Sequence, residues 1–339
     1  MGTVVYPGFM TMTKIVGLSM ALAWSAAMAD GPRLFVVNQG DKTMSIVNPT
    51  ANQQIAVVDE RQAAMHGHEI AVGPDNRTVF MPIYGSSGVG VPGLDGSEML
   101  AIDSQTGTIT GRVDFGHGVR PHCVVYEPVR KLLYVTTELD NDVTVVDPNT
   151  LQIVGKIPTG APQSHMLVVT RDGKRAYTSN VNPGSVSVLD LEARKLLAVI
   201  PISTVSQRIA ISRDDKFVFT SDQTKPRMAV IATATNAITR WINLPGSGYG
   251  SAATPDGKWL LVPSPKMSLV AVVDLRLMKV AKKIPVETAP QEMLIRPDGK
   301  FAYVPGSRAK KVSVIDLEKW EMTSTIDVGA GPDGLAWAK

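Results

Sequence analysis

The sequence predicts an all-β fold assembled from one repeated four-stranded unit, and three observations carry that expectation. The first is a ladder of turn motifs, "PDNRTVF", "RDGKRAY", "RDDKFVF", "PDGKWLL" and "PDGKFAY", which places aspartates at 75, 172, 214, 256 and 298, the last three steps each spanning 42 residues. The second is a ladder of strand ends, "AID", "VVD", "VLD", "VVD" and "VID", with Asp103, Asp147, Asp190, Asp274 and Asp316 in phase with the first and Ala232 on the missing rung. The third is the complementarity of the ends: "RLFVVNQG" reads as the second strand of a unit without its first, and "PDGLAWAK" as a first strand without the rest.

Each unit reads in order as an apolar run, a turn at "PDGK", a run such as "FAYV", a loop, a strand such as "VSVID", a turn, and a last strand such as "STIDV". A four-stranded sheet of this kind buries both faces only between neighbours. Stacking the sheets radially and closing the ring removes the exposed faces, which is the β-propeller solution. Counting the "V-x-V-x-D" strands, with "MSIVN" at 44–48 as the first, gives seven. The expected fold is therefore a seven-bladed β-propeller of four-stranded antiparallel blades, closed by pairing the C-terminal strand with the N-terminal blade.

Composition agrees with many short strands and tight turns: of 339 residues, 29 are Gly and 23 Pro, and only 6% are aromatic. The net charge of +3, with Lys and Arg scattered among acids, does not imply nucleic-acid binding. Near the start, Lys14, an apolar run over 15–27 and the small-residue pattern Ala27-Met28-Ala29 have the parts of a secretory signal. Residues 1–29 are expected to be removed, leaving 30–339 as a single domain that is periplasmic or secreted and monomeric. No later run approaches the roughly 18 apolar residues of a membrane span. The lone Cys123 cannot form an internal disulfide and reads as a core residue.

The segments "LYVTTELDNDVTVVDPNTLQIVGKIPTG" and "FAYVPGSRAKKVSVIDLEKWEMTSTIDVG" resemble the YVTN-type repeats of bacterial seven-bladed propellers. The resemblance covers nearly all of 30–339. Related propellers include lactonases, cytochrome d1-like and amine-dehydrogenase-like domains, and binding proteins without catalysis, so the resemblance implies the fold and leaves the function to the site.

Counting seven residues back from each repeat aspartate finds the residue that enters the innermost strand from the top of the channel: His68, His165, Gln207, Tyr249 and Gln291. The same count from Val129, which replaces the aspartate in its unit, gives His122, and alignment through Pro290 and Pro332 adds Asp333. Three consecutive blades thus present histidine at one equivalent position. His66 and His117 fall in the same type of connection, so all five histidines are expected on the top face in neighbouring blades. A Gly-rich stretch, "IYGSSGVGVPGLDGSEM" at 83–99, adds about a dozen residues and is expected to hang over the histidines as an extended loop.

His68, His122 and His165 are candidate ligands of a divalent transition metal, zinc, copper or iron, because neutral imidazole suits all of them and three histidines leave an open position. Alternatively His122, with Glu69, Glu292, Asp333 and Tyr249, serves general acid-base chemistry without metal, or the histidines hydrogen-bond loop backbones. Arg120 and Arg208 could clamp an anionic group of a ligand bidentately; salt bridges to Glu69 or Glu292 are the competing use. Gln207, Gln291, His66 and His117 complete the expected substrate-binding set. Asp222 and Glu138 are expected to cap turns, and the repeat aspartates belong to structure. Neither H-E-x-x-H, C-x-x-C-H, a P-loop nor G-x-S-x-G occurs.

Two functional classes remain open. One is an exported enzyme that polarises a carbonyl and activates water, for which the lactonase resemblance implies a lactone or similar small molecule. The other is a non-catalytic propeller binding a ligand, an exported protein partner, or, as the resemblance also implies, a haem d1-type cofactor on one histidine.

Overall fold

The computed structural model describes residue 2 and residues 31–60 and 64–339; the expected signal sequence thus lies almost wholly outside the described residues. Residues Pro32–Lys339 contain seven antiparallel sheets arranged as the four-stranded blades of a propeller, the innermost strand of one being broken into His66–Gly67 and Ala71–Val72. Blade 1 is made of Arg33–Asn38, Thr43–Asn48 and Gln53–Asp59, with Pro332–Ala338 as its innermost strand. Blades 2 to 7 follow in chain order at 66–114, 121–158, 164–201, 206–243, 252–285 and 294–327. The described helical content is one 3-10 turn at Pro265–Met267.

The seam in blade 1 is as the complementary ends predict: Arg33 pairs with Ala338, Leu34 with Trp337, Phe35 with Ala336 and Val36 with Leu335. Each sheet is apolar on both faces in its middle strands, as in Val143–Val146 of blade 3, where every residue is buried. Those faces meet those of the next blade. Phe80 and Met99 of blade 2 pack with Val124 and Leu133 of blade 3, and Tyr303 and Val314 of blade 7 pack with Leu34, Val36 and Leu335 across the seam.

The bottom turns explain the repeat. In five blades the aspartate at 75, 172, 214, 256 or 298 accepts a hydrogen bond from the backbone N–H two residues on, at 2.9–3.2 Å. Blade 3 has Val129 at that position, and Glu127 supplies the acceptors instead, taking the Val129 N–H at 2.5 Å and the Arg130 N–H at 2.8 Å.

One expectation is corrected. The stretch 83–99 is not a loop throughout: strands Thr78–Gly85 and Asp95–Asp103 continue into it, pairing Ile83 with Glu98 and Gly85 with Asp95, so only 86–94 form the tip. Pairing gives the added backbone groups partners that an irregular loop would lack. A bulge at Tyr84 turns that side chain inward.

Candidate functional site

Two local devices aim side chains at the top of the channel. The first is a bulge in the innermost strand. In blade 3 pairing passes from Val124↔Val135 to Pro121↔Thr137, in blade 4 from Met166↔Ser179 to Ser164↔Asn180, and in blade 5 from Ile209↔Thr220 to Ser206↔Asp222. Each skips a residue at His122 or Cys123, at His165, and at Gln207 or Arg208. The second is a left-handed residue two positions earlier: Arg120 (φ +50°), Gln163 (+56°), Ala289 (+56°) and Gly331 (+64°) precede His122, His165, Gln291 and Asp333. Strict alternation would send neighbours to opposite faces; at these bulges both the counted residue and the next one can face the centre.

The result is a column of four imidazoles. Ring centroids are 4.8 Å apart for His66 and His68, 4.9 Å for His68 and His122, and 3.8 Å for His122 and His165. Tyr84 lies edge-on to His68 at 4.8 Å and to His122 at 5.2 Å. His122 and His165 are buried, at 1% and 4% exposure. Among the described residues, His66 Nδ1, His68 Nε2 and both ring nitrogens of His122 are buried with no hydrogen-bond partner, and such groups ordinarily cost free energy unless something satisfies them. Burial, reinforced by the neighbouring imidazoles, lowers His122 well below the ordinary histidine range and brings His66 to about 4. Burial and Arg208 bring His165 to about 3. These three rings are neutral at pH 7.

Beside the column sits a buried ion cluster. Arg208, 2% exposed, bonds Glu69 and Glu292 through Nη1 and Asp333 Oδ1 through Nη2 at 2.8 Å, with its guanidinium 5.4 Å from the Tyr249 ring centroid. Burial pushes Glu69 well above the usual carboxylate range and Glu292 upward too, against the pull of Arg208. Burial opposes the Asp333 charge as well, but Arg208 and His68 together hold that carboxyl below its ordinary value. Column and cluster touch at His68, whose Nδ1 is 3.5 Å from Asp333 Oδ2.

Of the residues expected from sequence, His66, His68, His122, His165, Glu69, Glu292, Asp333, Arg208, Tyr249 and Gln207 belong to this centre. The Tyr249 hydroxyl donates to Gln207 Oε1, and Gln207 contributes its carbonyl to His165 Nδ1 at 3.2 Å. Gln291 enters through its carbonyl, which accepts from the Gly250 N–H at 2.8 Å. Both arginines are committed internally. Arg208 takes the salt-bridge use, and Arg120 holds the hairpin, with Nε on Asp95 Oδ1 at 2.5 Å and Nη2 on the Val91 carbonyl at 2.9 Å. His117 stands apart, mostly exposed, on Asp140 at 2.9 Å.

Glu138 does not cap a turn: its carboxylate accepts from the Tyr84 hydroxyl and from the Gly90 N–H at 3.1 Å, fastening the hairpin tip beside the column. Asp222 does cap one, through the Thr224 N–H at 2.9 Å. Cys123 lies in the core between blades 3 and 4, its thiol raised by burial to about 12.

Sequence reasoning missed three residues. Gln39 bridges column and cluster, its amide 2.7 Å from His68 Nδ1 and 2.5 Å from Asp333 Oδ2. Tyr84 packs on two imidazoles. Glu60, fully buried, accepts from the Gly67 N–H at 2.9 Å, and burial raises its carboxyl to about 7. Gln39 had a signal: it follows the end of a second strand, as Glu138 and Gln223 do in their blades.

Known proteins agree with the architecture. The family model "Lactonase, 7-bladed beta-propeller" matches residues 35–240, more than half the chain. A curated relative, 6-phosphogluconolactonase of Bacillus subtilis (strain 168), is 28% identical over 142 residues, which are 39% of this chain and 38% of that protein's length. Among solved structures, dihydro-heme d1 dehydrogenase NirN in complex with DHE superposes with a TM-score of 0.66 at 14% identity, covering 89% of this chain and 74% of that one. At that identity the likeness speaks for the fold alone. Seven blades, the seam and the family match together place the chain in the lactonase family of seven-bladed β-propellers.

Proposed function

We propose that this propeller is exported and acts on a small oxygenated molecule of the lactone class at the top-face centre. The observation that carries the reading is the set of buried imidazole nitrogens without partners, in a chain of the lactonase family. Entry would be past His66 and His68, the more accessible members of the column. Water attacks the lactone carbonyl, the ring C–O bond breaks, and the water proton passes by way of an imidazole to the departing alkoxide, leaving a hydroxy acid. His122 is the first candidate for that transfer because both its ring nitrogens are uncommitted. Gln39 and Asp333 orient His68 from behind, and Tyr84 closes the column on the hairpin side.

A divalent transition metal held by His68, His122 and His165 would fit the chemistry of these donors and the excess of three carboxylates over one guanidinium beside them. It would polarise the carbonyl and lower the pKa of a bound water. The rings lie side by side, and no group of three potential ligands among the described residues is arranged to hold an ion, so binding would require them to turn. A haem d1-type macrocycle on one histidine would fall to His66 or His68, since His122 and His165 are buried and in contact with each other at 3.8 Å between ring centroids.

The second reading, a non-catalytic binding propeller, is favoured by the pairing of Arg208 with all three acids, which leaves fewer groups free for chemistry. Hydrolysis of five- and six-membered lactones, followed by pH-stat on untagged protein with its metal content measured, separates the readings. The expected result is turnover that falls about a hundredfold in His122→Ala. Rates equal to buffer across the panel would leave the binding reading standing.

A further inference from the structure

We infer that the bottom-face cleft between blades 5 and 6 is a second ligand site, for small organic anions that carry a flat apolar body. The cleft holds about 700 Å³, is walled by Phe217, Trp259, Leu275 and Met278, and bears Arg213 and Arg276 at its rim. It lies at the turn end of the innermost strands, opposite the imidazole column. Its volume falls in the range of ordinary small-molecule sites.

The repeat supplies an internal control for what a bottom turn requires. Arg213 occupies the position before the turn aspartate, where blades 2, 6 and 7 have Pro74, Pro255 and Pro297 and blade 4 has Arg171, which lines the same cleft. Arg276 lies two residues after the strand-end aspartate, where blades 3, 4 and 7 carry Asn149, Glu192 and Glu318. Those turns form with the same backbone bonds, so neither arginine is needed to make its own. Phe217 and Trp259 stand where blades 2, 3 and 4 have Thr78, Leu132 and Arg175, and blade 7 has Phe301. Cationic and aromatic side chains that the turns themselves do not require thus come together at one cleft.

The charges are also unequally engaged. Arg171 is held 3.4 Å from Asp215, and Lys258 lies 3.6 Å from Asp256. Asp256 and Asp274 accept backbone N–H groups of their own turns. Among the described residues, the guanidiniums of Arg213 and Arg276 have no ion-pair or hydrogen-bond partner, and both are exposed. Trp259 is braced edge-on against Trp320 at 5.2 Å, which gives the cleft a fixed aromatic wall. Guanidinium takes phosphate or carboxylate oxygens bidentately, and the wall beneath offers a ring something to lie on.

The test is calorimetric titration of the protein with phenyl phosphate, benzoate and inorganic phosphate, with tryptophan fluorescence as a second readout. Phenyl phosphate or benzoate should saturate with a dissociation constant of about 1 mM or below, and the phenyl anion that binds identifies phosphate or carboxylate as the group read. Inorganic phosphate should bind at least about tenfold more weakly than the better of the two. The double variant R213A/R276A should lose about tenfold or more in affinity, with an unchanged melting temperature and top-face activity. No saturation by about 10 mM of either phenyl anion, equal binding of inorganic phosphate, or unchanged affinity in the double variant would each overturn the assignment.

Discussion

At the bottom of the propeller, Asp75, Asp172, Asp214, Asp256 and Asp298 do one job in five blades, each holding a backbone N–H of its own turn. At the top, the equivalent positions carry histidine in blades 2 to 4 and Gln207, Tyr249, Gln291 and Asp333 in the remaining blades. The bottom contacts are local, so each blade can solve its turn alone and the same residue recurs. The top residues meet across the channel, where Arg208 of blade 5 reaches Glu69 of blade 2, Glu292 of blade 7 and Asp333 of blade 1. Groups that share one volume cannot all be the same residue when they are charged, since a ring of like charges would not close.

The largest expected effect removes the frame both regions share. Deleting residues 332–339 takes away the innermost strand of blade 1 together with Asp333, exposing a sheet edge and the apolar seam. Stability should fall by at least about 5 kcal/mol, or folding should fail, in urea unfolding; an unchanged melting temperature would contradict the closed ring.

Next comes the cross-channel contact itself. Arg208→Ala strands buried carboxylates and should cost about 3–5 kcal/mol, and adding Glu69→Gln and Glu292→Gln should recover part of the loss, which would mark the contact as coupled. A simple sum of the separate effects would mean that the top is as modular as the bottom.

The third prediction concerns pH. The Glu60 carboxyl titrates near 7 in the fold and near 4.5 in its ordinary state, so it contributes stability that is present below pH 4.5 and lost as pH rises toward 7. The total is on the order of 3 kcal/mol, and Glu60→Gln should abolish that slope. His66 and His165 act with the opposite sign. Their folded values near 4 and 3 lie below 6.5, so their contribution is present above pH 6.5 and lost on acidification.

The smallest effects are at the bottom. Asp298→Ala and Asp256→Ala should each cost about 1 kcal/mol and add independently. Glu127→Ala should cost at least as much, because that carboxylate replaces the missing aspartate and is buried at 1% exposure. Thermal melts of the single and double variants would show whether Glu127 has taken over the turn.

This contrast also explains what the sequence could reveal. The ladders locate every blade because the turns repeat the same chemistry at a fixed period, and the backward count reaches His68, His122 and His165 because the innermost segment of each of these blades keeps the same seven-residue spacing from its top to its turn. Glu69, Arg208 and Glu292 are adjacent to counted positions, where alternation alone would turn them away; the bulge that redirects Arg208 has no residue signature, and Glu69 and Glu292 precede the short paired segments Ala71–Val72 and Leu294–Ile295, where alternation does not yet apply. Tyr84 and Gln39 lie at the ends of second strands, outside the count, and Glu60 lies in a connection between blades. The close approach of the His122 and His165 rings depends on rotations that spacing does not encode. Arg120 looked like a ligand clamp because its anchoring to Asp95 and the Val91 carbonyl requires the hairpin tip to fold back.

The seam in blade 1 has a temporal consequence. Blades 2 to 7 each take their strands from one continuous stretch of chain, but blade 1 waits for 332–338 before Leu34, Phe35 and Val36 have a neighbour on their inner side. Joining ends separated by about 300 residues is not the difficulty, because closure entropy grows only logarithmically, by about 0.6 kcal/mol per doubling of length. The difficulty is the interval: a chain delivered from its amino end keeps an apolar strand edge open to any passing β-segment until delivery is complete. Since Arg33 and Ala338 pair directly, linking them and opening the chain between two other blades would shift that interval without altering the finished ring. A permutant so made should aggregate less during refolding if the waiting strand is the vulnerable one.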